Sequence, residues 1–258
     1  MTHPRKMDIG VFIKHCCRIV YEEVDQILFT DQIHEERLTV LQKIIARVLE
    51  KDTEFFRILE IGSWNGQSAI FWAESLVSAG KKGNVFCVDP WMAFNNAEEQ
   101  DDINTNTSRM SRFAEQDRVF PLFWDNIKTK KLTDIVIPLR GRSETILPCL
   151  REKWFDLIFI DGSHTYTDFL DDLCHSEPLL KHGGILCGDD LELYADEIDI
   201  PYAIEKREKD FITDPRTGKN FHPGITLGID AYFKRKIESC SGVWYVEENQ
   251  MGWGEVTL

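Results

Sequence analysis

Acidic side chains stand where apolar runs of the sequence end: Asp89, Asp161 and the adjacent pair Asp189 and Asp190. In an open α/β sheet, ligands bind beyond the carboxyl ends of the strands, so these acids are expected to face one region. Asp161 alone is equally well explained as a turn or capping residue. Two adjacent aspartates, however, repel each other unless a cation joins them. Oxygen ligands at an open site suit Mg²⁺ or Mn²⁺, which keep waters that a substrate can replace.

A histidine follows three residues after Asp161. A neutral imidazole can take a proton from a hydroxyl near physiological pH, so His164 is a candidate general base. Capping a helix or binding the metal are its alternative roles. His222 is a further candidate for the base. His175 and His182 fall in helix and turn contexts, which predicts structural or solvated side chains.

A glycine turn lies between an apolar run and an amphipathic run. Residues 55–61 lead into L-E-I-G-S-W-N-G-Q-S, and residues 68–77 leave it. Because Gly62 and Gly66 have no Cβ, the backbone can turn tightly there and approach a ligand. The N–H groups that begin the following helix would then face that ligand. The pattern predicts a strand, a turn and a helix.

The spacing in this turn indicates which nucleotide it serves. A dinucleotide fingerprint reads G-x-G-x-x-G, whereas here Trp64 stands where the middle glycine would be. Glu60 precedes the turn, and an acid there suits a ligand with positive charge rather than a diphosphate. The next apolar run ends at Asp89, where a carboxylate can accept hydrogen bonds from ribose hydroxyls. Dinucleotide binding and an α/β domain without a ligand are the alternatives.

The order E-x-G-x-x-x-G from Glu60 to Gly66 resembles motif I of the class I S-adenosylmethionine (SAM) methyltransferases. The segments I-D-G-S-H-T-Y, L-L-K-H-G-G-I-L and D-D are similar to those of a metal-dependent branch, the small-molecule O-methyltransferases that include the macrocin and other sugar O-methyltransferases. The resemblance extends over residues 58–190 and is weaker at 223–233. Members of this branch often have a second acid, the proposed base, where this chain has Ser163. His164 is the candidate to replace it.

The resemblance implies roles for individual residues. The acid that ends strand four and the pair after strand five bind Mg²⁺ or Mn²⁺, which assigns Asp161, Asp189 and Asp190 to the metal. His164 and Asp161 are then the catalytic candidates. Trp91 would stack on adenine, with packing in the core as an equal alternative. The residues expected to hold SAM are Glu60, Gly62, Ser63, Gly66, Ser68, Asp89, Trp91, Ser143 and Asp161.

The elements that must position these residues alternate between strands and helices. Strands are expected at 55–61, 84–88, 134–139, 155–160 and 185–188, with a terminal hairpin of 243–246 and 253–258. This order predicts an α/β fold with a Rossmann-like class I methyltransferase sheet, mostly parallel with a C-terminal antiparallel hairpin. A helix stop and turn is expected at residues 181–184.

Two helical patterns, residues 8–29 and a second that includes residues 38–49, precede the first strand. They would form a packing layer, a cap over the substrate or the surface of a homodimer. We expect an N-terminal helical cap at 1–54 and a SAM-binding methyltransferase domain at 55–258. Insertions are expected at about 91–131 and 191–223. Because the second insertion is long and polar, it is interpreted as a mobile lid.

Composition excludes several classes of function. The chain has 258 residues, a net charge of −14 and seven cysteines. The length fits one α/β domain with additions. The acidic charge argues against nucleic acid and against anionic membranes, since both require a basic face. An odd number of cysteines without a C-x-x-C pair is typical of reduced thiols in a cytoplasmic protein. No signal peptide or transmembrane run is evident.

The sequence therefore predicts a SAM-dependent methyltransferase that acts with a divalent metal on a hydroxyl of a small molecule, a sugar or natural product. One alternative is a metal-independent small-molecule methyltransferase that uses His164 as its base. Another is a non-catalytic partner protein with the SAM fold. The clustered acids argue against the second alternative, because a site without chemistry has no need of them.

Overall fold

The structure is a computed structural model that describes residues 35–92 and 114–247. Its strands are β1 (Phe56–Ile61), β2 (Gly83–Asp89), β3 (Val136–Arg140), β4 (Phe155–Ile160), β5 (Leu180–Leu191), β6 (Ile212–Thr213), β7 (Asn220–Phe221), β8 (Glu238–Cys240) and β9 (Gly242–Glu247). A seven-stranded sheet has the order β3-β2-β1-β4-β5-β9-β8, and β6 pairs with β7. Strands β1 to β5 are parallel, and β9 is antiparallel to β5 and β8. This confirms the predicted Rossmann-like, mostly parallel sheet.

Helices cover both faces of the sheet. They are α1 (Glu35–Leu49), α2 (Gln67–Ser78), α3 (Val119–Thr129), α4 (Ser143–Ile146), α5 (Tyr166–Ser176), α6 (Ile200–Glu205) and α7 (Pro223–Phe233). Along β4, Leu157 and Phe159 join a core with α1, α2 and α3, while Ile158 and Ile160 join a core with α5 and α7. A strand buried on both faces reads as a near-continuous apolar run, which is how β4 appears in the sequence apart from Asp156.

Strand β5 is longer than predicted. The turn expected at residues 181–184 is wrong, because β5 begins at Leu180 and runs through these residues to Leu191. Gly183 has a φ of 71°, and the pairing with β4 shifts in register between Phe155 and Leu157. The glycines that suggested a turn instead form an irregular start of the strand. The Asp189–Asp190 pair consequently lies within the last residues of β5.

The polar segment 191–223 contains secondary structure of its own. It includes a short 3-10 turn at Ala195–Glu197, helix α6 and the hairpin of β6 with β7. Leu193, Ile198, Ala203 and Phe221 pack with Leu227 of α7 in a small core. Polar and charged residues separate these apolar residues in the sequence, so the pattern did not predict this core. Whether the segment moves stays a prediction.

The terminal hairpin was expected to pair residues 243–246 with 253–258, but in the structure β9 pairs with β8. Strand β9 lies between β5 and β8, so both of its edges are paired. The expected strand at 253–258, the expected helix at 8–29 and residues 93–113 of the first insertion lie outside the described residues. Within the described ranges, no helix combines the length and apolar character needed to cross a membrane.

Candidate active site

The glycine turn follows β1 and lies against the end of β4, its neighbour in the sheet. Gly62 has a φ of 83°, and a Cβ there would lie 1.9 Å from the backbone oxygen of Asp161. Only glycine fits this approach. Gly66 has a φ of 86°, and a Cβ there would lie 2.8 Å from the ring of Phe123 in α3. The two glycines therefore bring the start of α2 next to the strand end where the acids begin.

Asp89, at the end of β2, holds the glycine turn through backbone hydrogen bonds. Its Oδ2 accepts the N–H groups of Ser63 at 3.0 Å and of Trp64 at 2.9 Å. Its Oδ1 accepts the N–H of Trp91. Burial raises the pKa of this carboxyl above its usual range. Asp89 thus stands beside the turn, where the ribose is expected, and also shapes that turn.

Glu60 supports the turn from the protein interior. Its side chain is fully buried, and the hydroxyl of Ser63 donates to its Oε2 at 2.6 Å. Burial raises the pKa of Glu60 to about 7, and Ser68 in the first turn of α2 also contacts it. Glu60, Ser63 and Ser68 therefore form one buried polar group at the base of the predicted cofactor turn.

Trp91 is a core residue in this structure. Its side chain is 1% exposed, and its indole N–H donates to the backbone oxygen of Trp64 at 2.7 Å. Its ring packs on Phe120 and Phe123 of α3, with centroids 4.9 and 4.7 Å apart. The geometry therefore matches the packing alternative that the sequence left open beside adenine stacking.

Ser143 begins α4, just beyond the end of β3. It contacts Asp172 of α5, a carboxyl whose pKa burial raises to about 7. A Cβ added to Gly162 would lie 3.3 Å from Asp172 Oδ2. Ser143 is thus linked through Asp172 to the residue that follows Asp161.

The acid cluster lies at the ends of β4 and β5, which pair side by side up to Ile160 and Gly188. Asp161 follows β4, and Asp189 and Asp190 precede Leu191, the last residue of β5. Asp190 has a φ of 66°, a conformation that is costly for a residue with a Cβ. Consecutive side chains of a regular strand point to opposite faces. The left-handed Asp190 breaks that alternation, and both carboxylates reach the same guanidinium.

That guanidinium belongs to Arg37 of α1. Its Nη2 forms an ion pair with Asp189 Oδ1 and lies 2.8 Å from Asp190 Oδ1. Burial alone would lower the pKa of Arg37, but the two carboxylates outweigh burial and raise it. Burial and the charge of Asp190 raise the pKa of Asp189 to about 6. Burial and the neighbouring carboxylates also raise the pKa of Asp161. The chain therefore supplies a cation to the crowded acids.

His164 lies between two carboxylates. Its Nε2 is 3.1 Å from Asp190 Oδ2, and its Nδ1 is 2.5 Å from Asp210 Oδ1. Burial would lower the pKa of His164, but Asp190 and Asp210 outweigh burial and hold it well above its usual range. Asp210 lies between α6 and β6, in the segment interpreted as a lid. A carboxylate on Nδ1 orients the ring, and here it directs Nε2 to the acid cluster.

His222 immediately precedes α7, and its ring centroid lies 4.5 Å from that of His164. Its Nδ1 is 2.9 Å from Glu192 Oε1 and 4.0 Å from Asp190 Oδ1. Each of the two imidazoles is therefore held at Nδ1 by a carboxylate from the segment after β5. This pattern is typical of histidines that bind metals or transfer protons. His175, by contrast, bonds the carbonyl of Asp171 in its own helix.

The side chains at the acid cluster can hold a divalent cation. Three overlapping groups of described residues have ligand atoms within 4.8 Å of one another: Asp161, His164 and Asp190; His164, Asp210 and His222; and Asp190, Glu192 and His222. The first group contains Asp161 and Asp190, two of the three predicted metal ligands. His164 takes the place of the third, Asp189, whose carboxylate pairs with Arg37. Carboxylates with an imidazole suit Mn²⁺ at least as well as Mg²⁺, because Mg²⁺ prefers oxygen ligands. The residues present therefore fit the cation that the resemblance implies.

Sequence reasoning did not identify Arg37, Asp210 or Glu192. Arg37 is 153 residues from Asp190, and Asp210 is 46 residues from His164. Arg37 follows two glutamates in an amphipathic helix, where a basic residue is normally solvated. The polarity of segment 191–223 was a general signal, but no local spacing distinguished Asp210 and Glu192 from the other acids there.

Comparisons with known proteins agree with this fold. A family model described as a methyltransferase domain matches residues 59–191, just over half of the chain. The O-methyltransferase NovP is 14% identical with a TM-score of 0.60, over 93% of this chain and 99% of that one. The calicheamicin methyltransferase CalS11 is 12% identical with a TM-score of 0.54, over 93% and 91%. An O-methyltransferase from Bacillus cereus in complex with SAH is 17% identical with a TM-score of 0.51, over 95% and 93%. A comparison with curated proteins gives no match.

Proposed function

The chain belongs to the family of methyltransferase domains, and on this premise we propose that it transfers a methyl group from SAM to a hydroxyl of a small molecule. A divalent cation at the acid cluster would assist this transfer. The observation that supports the proposal most is that His164, backed by Asp210, adjoins the acid cluster. A base and a cation site beside a cofactor turn are the parts that metal-assisted O-methyl transfer needs.

The glycine turn and the neighbouring strand ends would bind the cofactor. SAM supplies an electrophilic methyl group on a sulfonium. Gly62 and Gly66 allow close approach of the backbone, and Asp89 accepts hydrogen bonds from the ribose hydroxyls. The buried group of Glu60, Ser63 and Ser68 keeps the turn in place. Gly62 and Asp89 would thereby hold the cofactor beside the end of β4, where Asp161 begins the acid cluster. Ser143 is the proposed contact of the adenine edge.

His164 is the proposed base. Asp210 holds its Nδ1, so the lone pair of the neutral ring lies on Nε2, on the side of the acid cluster. Asp190 and Asp210 together raise the pKa of His164. Neutralising Asp190 would lower the pKa of His164 toward the range in which the ring accepts a proton from a hydroxyl.

The proposed metal ligands are Asp161, Asp189 and Asp190, and the cation is Mg²⁺ or Mn²⁺. A divalent cation supplies Lewis acidity that lowers the pKa of an acceptor hydroxyl. His164 could instead complete the ligand set, because it forms with Asp161 and Asp190 a group of donor atoms within 4.8 Å of one another. Metal affinity of an Asp189→Asn and of a His164→Gln protein would separate these two sets.

The proposed acceptor is a sugar or natural-product hydroxyl. An O-methyltransferase and a calicheamicin methyltransferase are among the structures with a similar fold. The net charge of −14 disfavours nucleic acid as the acceptor. A second candidate function is the same methyl transfer without a divalent cation. The ion pairs of Arg37 favour it, because they already place a cation at Asp189 and Asp190.

The test is a turnover assay with SAM and a panel of sugar and polyketide hydroxyl compounds, in which S-adenosylhomocysteine is measured. We expect turnover that EDTA abolishes and that Mn²⁺ or Mg²⁺ restores. His164→Gln should lower turnover by about a hundredfold or more, while His175→Gln should leave it unchanged. Full activity in EDTA would establish the metal-independent candidate. Unchanged turnover of His164→Gln would exclude this residue as the base.

A further inference from the structure

Arg37 contacts the two acids from outside the region that matches the family. It lies on α1, whereas the family model begins at residue 59. Its guanidinium is paired with both Asp189 and Asp190, and its side chain is only 20% exposed. A surface arginine would make such contacts weakly and in solvent. Arg37 is instead inserted between helix and sheet at the point where a cation was predicted.

The guanidinium and a divalent cation would draw on the same two carboxylates. Asp190 Oδ1 lies 2.8 Å from Arg37 Nη2. Asp189 Oδ1 forms an ion pair with the same nitrogen and accepts a hydrogen bond from the N–H of Asp190. Asp189 is absent from the three groups of donor atoms that lie within 4.8 Å among the described residues. Two positive charges a few ångströms apart at a half-buried site repel each other. Full ligation by Asp189 and Asp190 therefore requires Arg37 to give up contacts.

We propose that Arg37 is a built-in competitor for the divalent cation, which neutralises Asp189 and Asp190 when no metal is bound and is displaced when metal enters. Arg37 is thus a positioning residue that sets the metal affinity of the site. Because the ion pairs also attach α1 to the end of β5, metal entry loosens that helix. The proposal depends on the proposed function only for the nature of the cation.

The test is a calorimetric titration of the whole protein with Mn²⁺ alone. Arg37→Gln should bind Mn²⁺ about tenfold more tightly than the original protein or better, because a repelling charge is removed. The matched control is Arg47→Gln on the same helix. Arg47 also anchors α1 through an ion pair, with Glu247 at 2.6 Å, but it does not touch the acid cluster. A merely structural role for Arg37 would give weaker metal binding, since the acids would lose their support.

A second measurement does not depend on any variant. Hydrogen exchange of residues 35–49 in the original protein should become faster when Mn²⁺ is added, because α1 loses its link to β5. Tighter binding by Arg37→Gln together with faster exchange supports the proposal. Equal or weaker binding by Arg37→Gln, no binding by either protein, or unchanged exchange on adding Mn²⁺ would overturn it. Titration of the same samples with S-adenosylhomocysteine reports on the methyltransferase assignment separately.

Discussion

At the level of single residues, the acids and their partners come from distant parts of the chain. Four of them could be predicted, because each follows an apolar run or lies close to an acid that follows one: Asp161, Asp189, Asp190 and His164. Arg37 could not be predicted, since its contact with Asp190 spans 153 residues and depends on how α1 packs on the sheet. Residue types and their spacing identify a candidate ligand or base, but they do not identify the side chain that will pair with it.

Replacing Asp210 should change the tautomer of His164. An Asn side chain can donate from its amide nitrogen to Nδ1 of His164, which moves the ring proton to Nε2. Asp210→Asn should therefore lower kcat by roughly a hundredfold while KM and SAM affinity change little. Steady-state kinetics on an accepted hydroxyl compound, with SAM calorimetry, would measure this.

The matched control for Asp210→Asn is Glu208→Gln. Glu208 lies in the same segment and accepts a hydrogen bond from the hydroxyl of Thr167 at 2.9 Å. The amide of Gln keeps an acceptor, so Glu208→Gln should retain normal kcat. If Asp210→Asn also keeps normal kcat, Asp210 does not orient the base.

At the level of elements, the glycine turn and the end of β5 position the site. The turn was predictable, because Gly62 and Gly66 follow an apolar run and precede an amphipathic one. The irregular pairing at both ends of β5 was not, since it depends on β4 and β9 as partners. The core of segment 191–223 was hidden because its few apolar residues are spread among charges. The division of the chain at residue 54 stays a prediction.

The close approach of Gly62 to β4 predicts a large loss of stability for Gly62→Ala. The matched control is Gly80→Ala, since Gly80 also has a positive φ, of 65°, and a Cβ there would meet no described atom within 4 Å. Gly80→Ala should cost about 1–2 kcal/mol for the backbone conformation alone. Gly62→Ala should cost about 3 kcal/mol or more, because it adds a clash with Asp161. Chemical denaturation would measure both, and equal losses would show that the contact with Asp161 is unimportant.

Segment 191–223 should exchange its amide hydrogens faster than β4 when no cofactor is present. Its hairpin has strands of only two residues, and its own core is small, whereas β4 is buried along its whole length. Hydrogen exchange with mass spectrometry would compare the two regions. Protection of the segment equal to that of β4 would contradict the interpretation of it as a lid.

At the level of the whole molecule, the sheet brings the predicted residues together. The alternation of strands and helices predicted the parallel sheet, and the parallel sheet predicted that the ends of β4 and β5 adjoin. Helices cover both faces of the sheet, which explains why its strands read as apolar runs in the sequence. The order of β8 and β9 at the sheet edge was harder to predict from the sequence, because β8 has only three residues and none of them is buried.

The buried acids predict how stability depends on pH in the presence of EDTA. Burial raises the folded-state pKa to about 7 for Glu60 and Asp172, and burial with the charge of Asp190 raises that of Asp189 to about 6. Acids with a raised pKa favour the folded state below their unfolded pKa, and this contribution is lost as pH rises through the folded value. The Tm should therefore fall as pH rises from about 4 to about 7. Asp172→Asn should make that fall smaller, and an identical slope would show that Asp172 does not titrate in this range.

The most direct test of the whole account is calorimetry with three ligands: SAM, S-adenosylhomocysteine and NAD. The turn from Glu60 to Gly66 and the carboxylate of Asp89 form the proposed cofactor site. The roles proposed for the base and the metal ligands depend on a cofactor bound there. We predict that both adenosyl ligands bind with one site per chain and that NAD gives no heat. Asp89→Ala should weaken SAM binding by at least roughly 1–3 kcal/mol. The ribose hydroxyls lose their partner, and the N–H groups of Ser63 and Trp64 lose the acceptor that holds the turn. Binding of NAD, with no heat from either adenosyl ligand, would contradict the account.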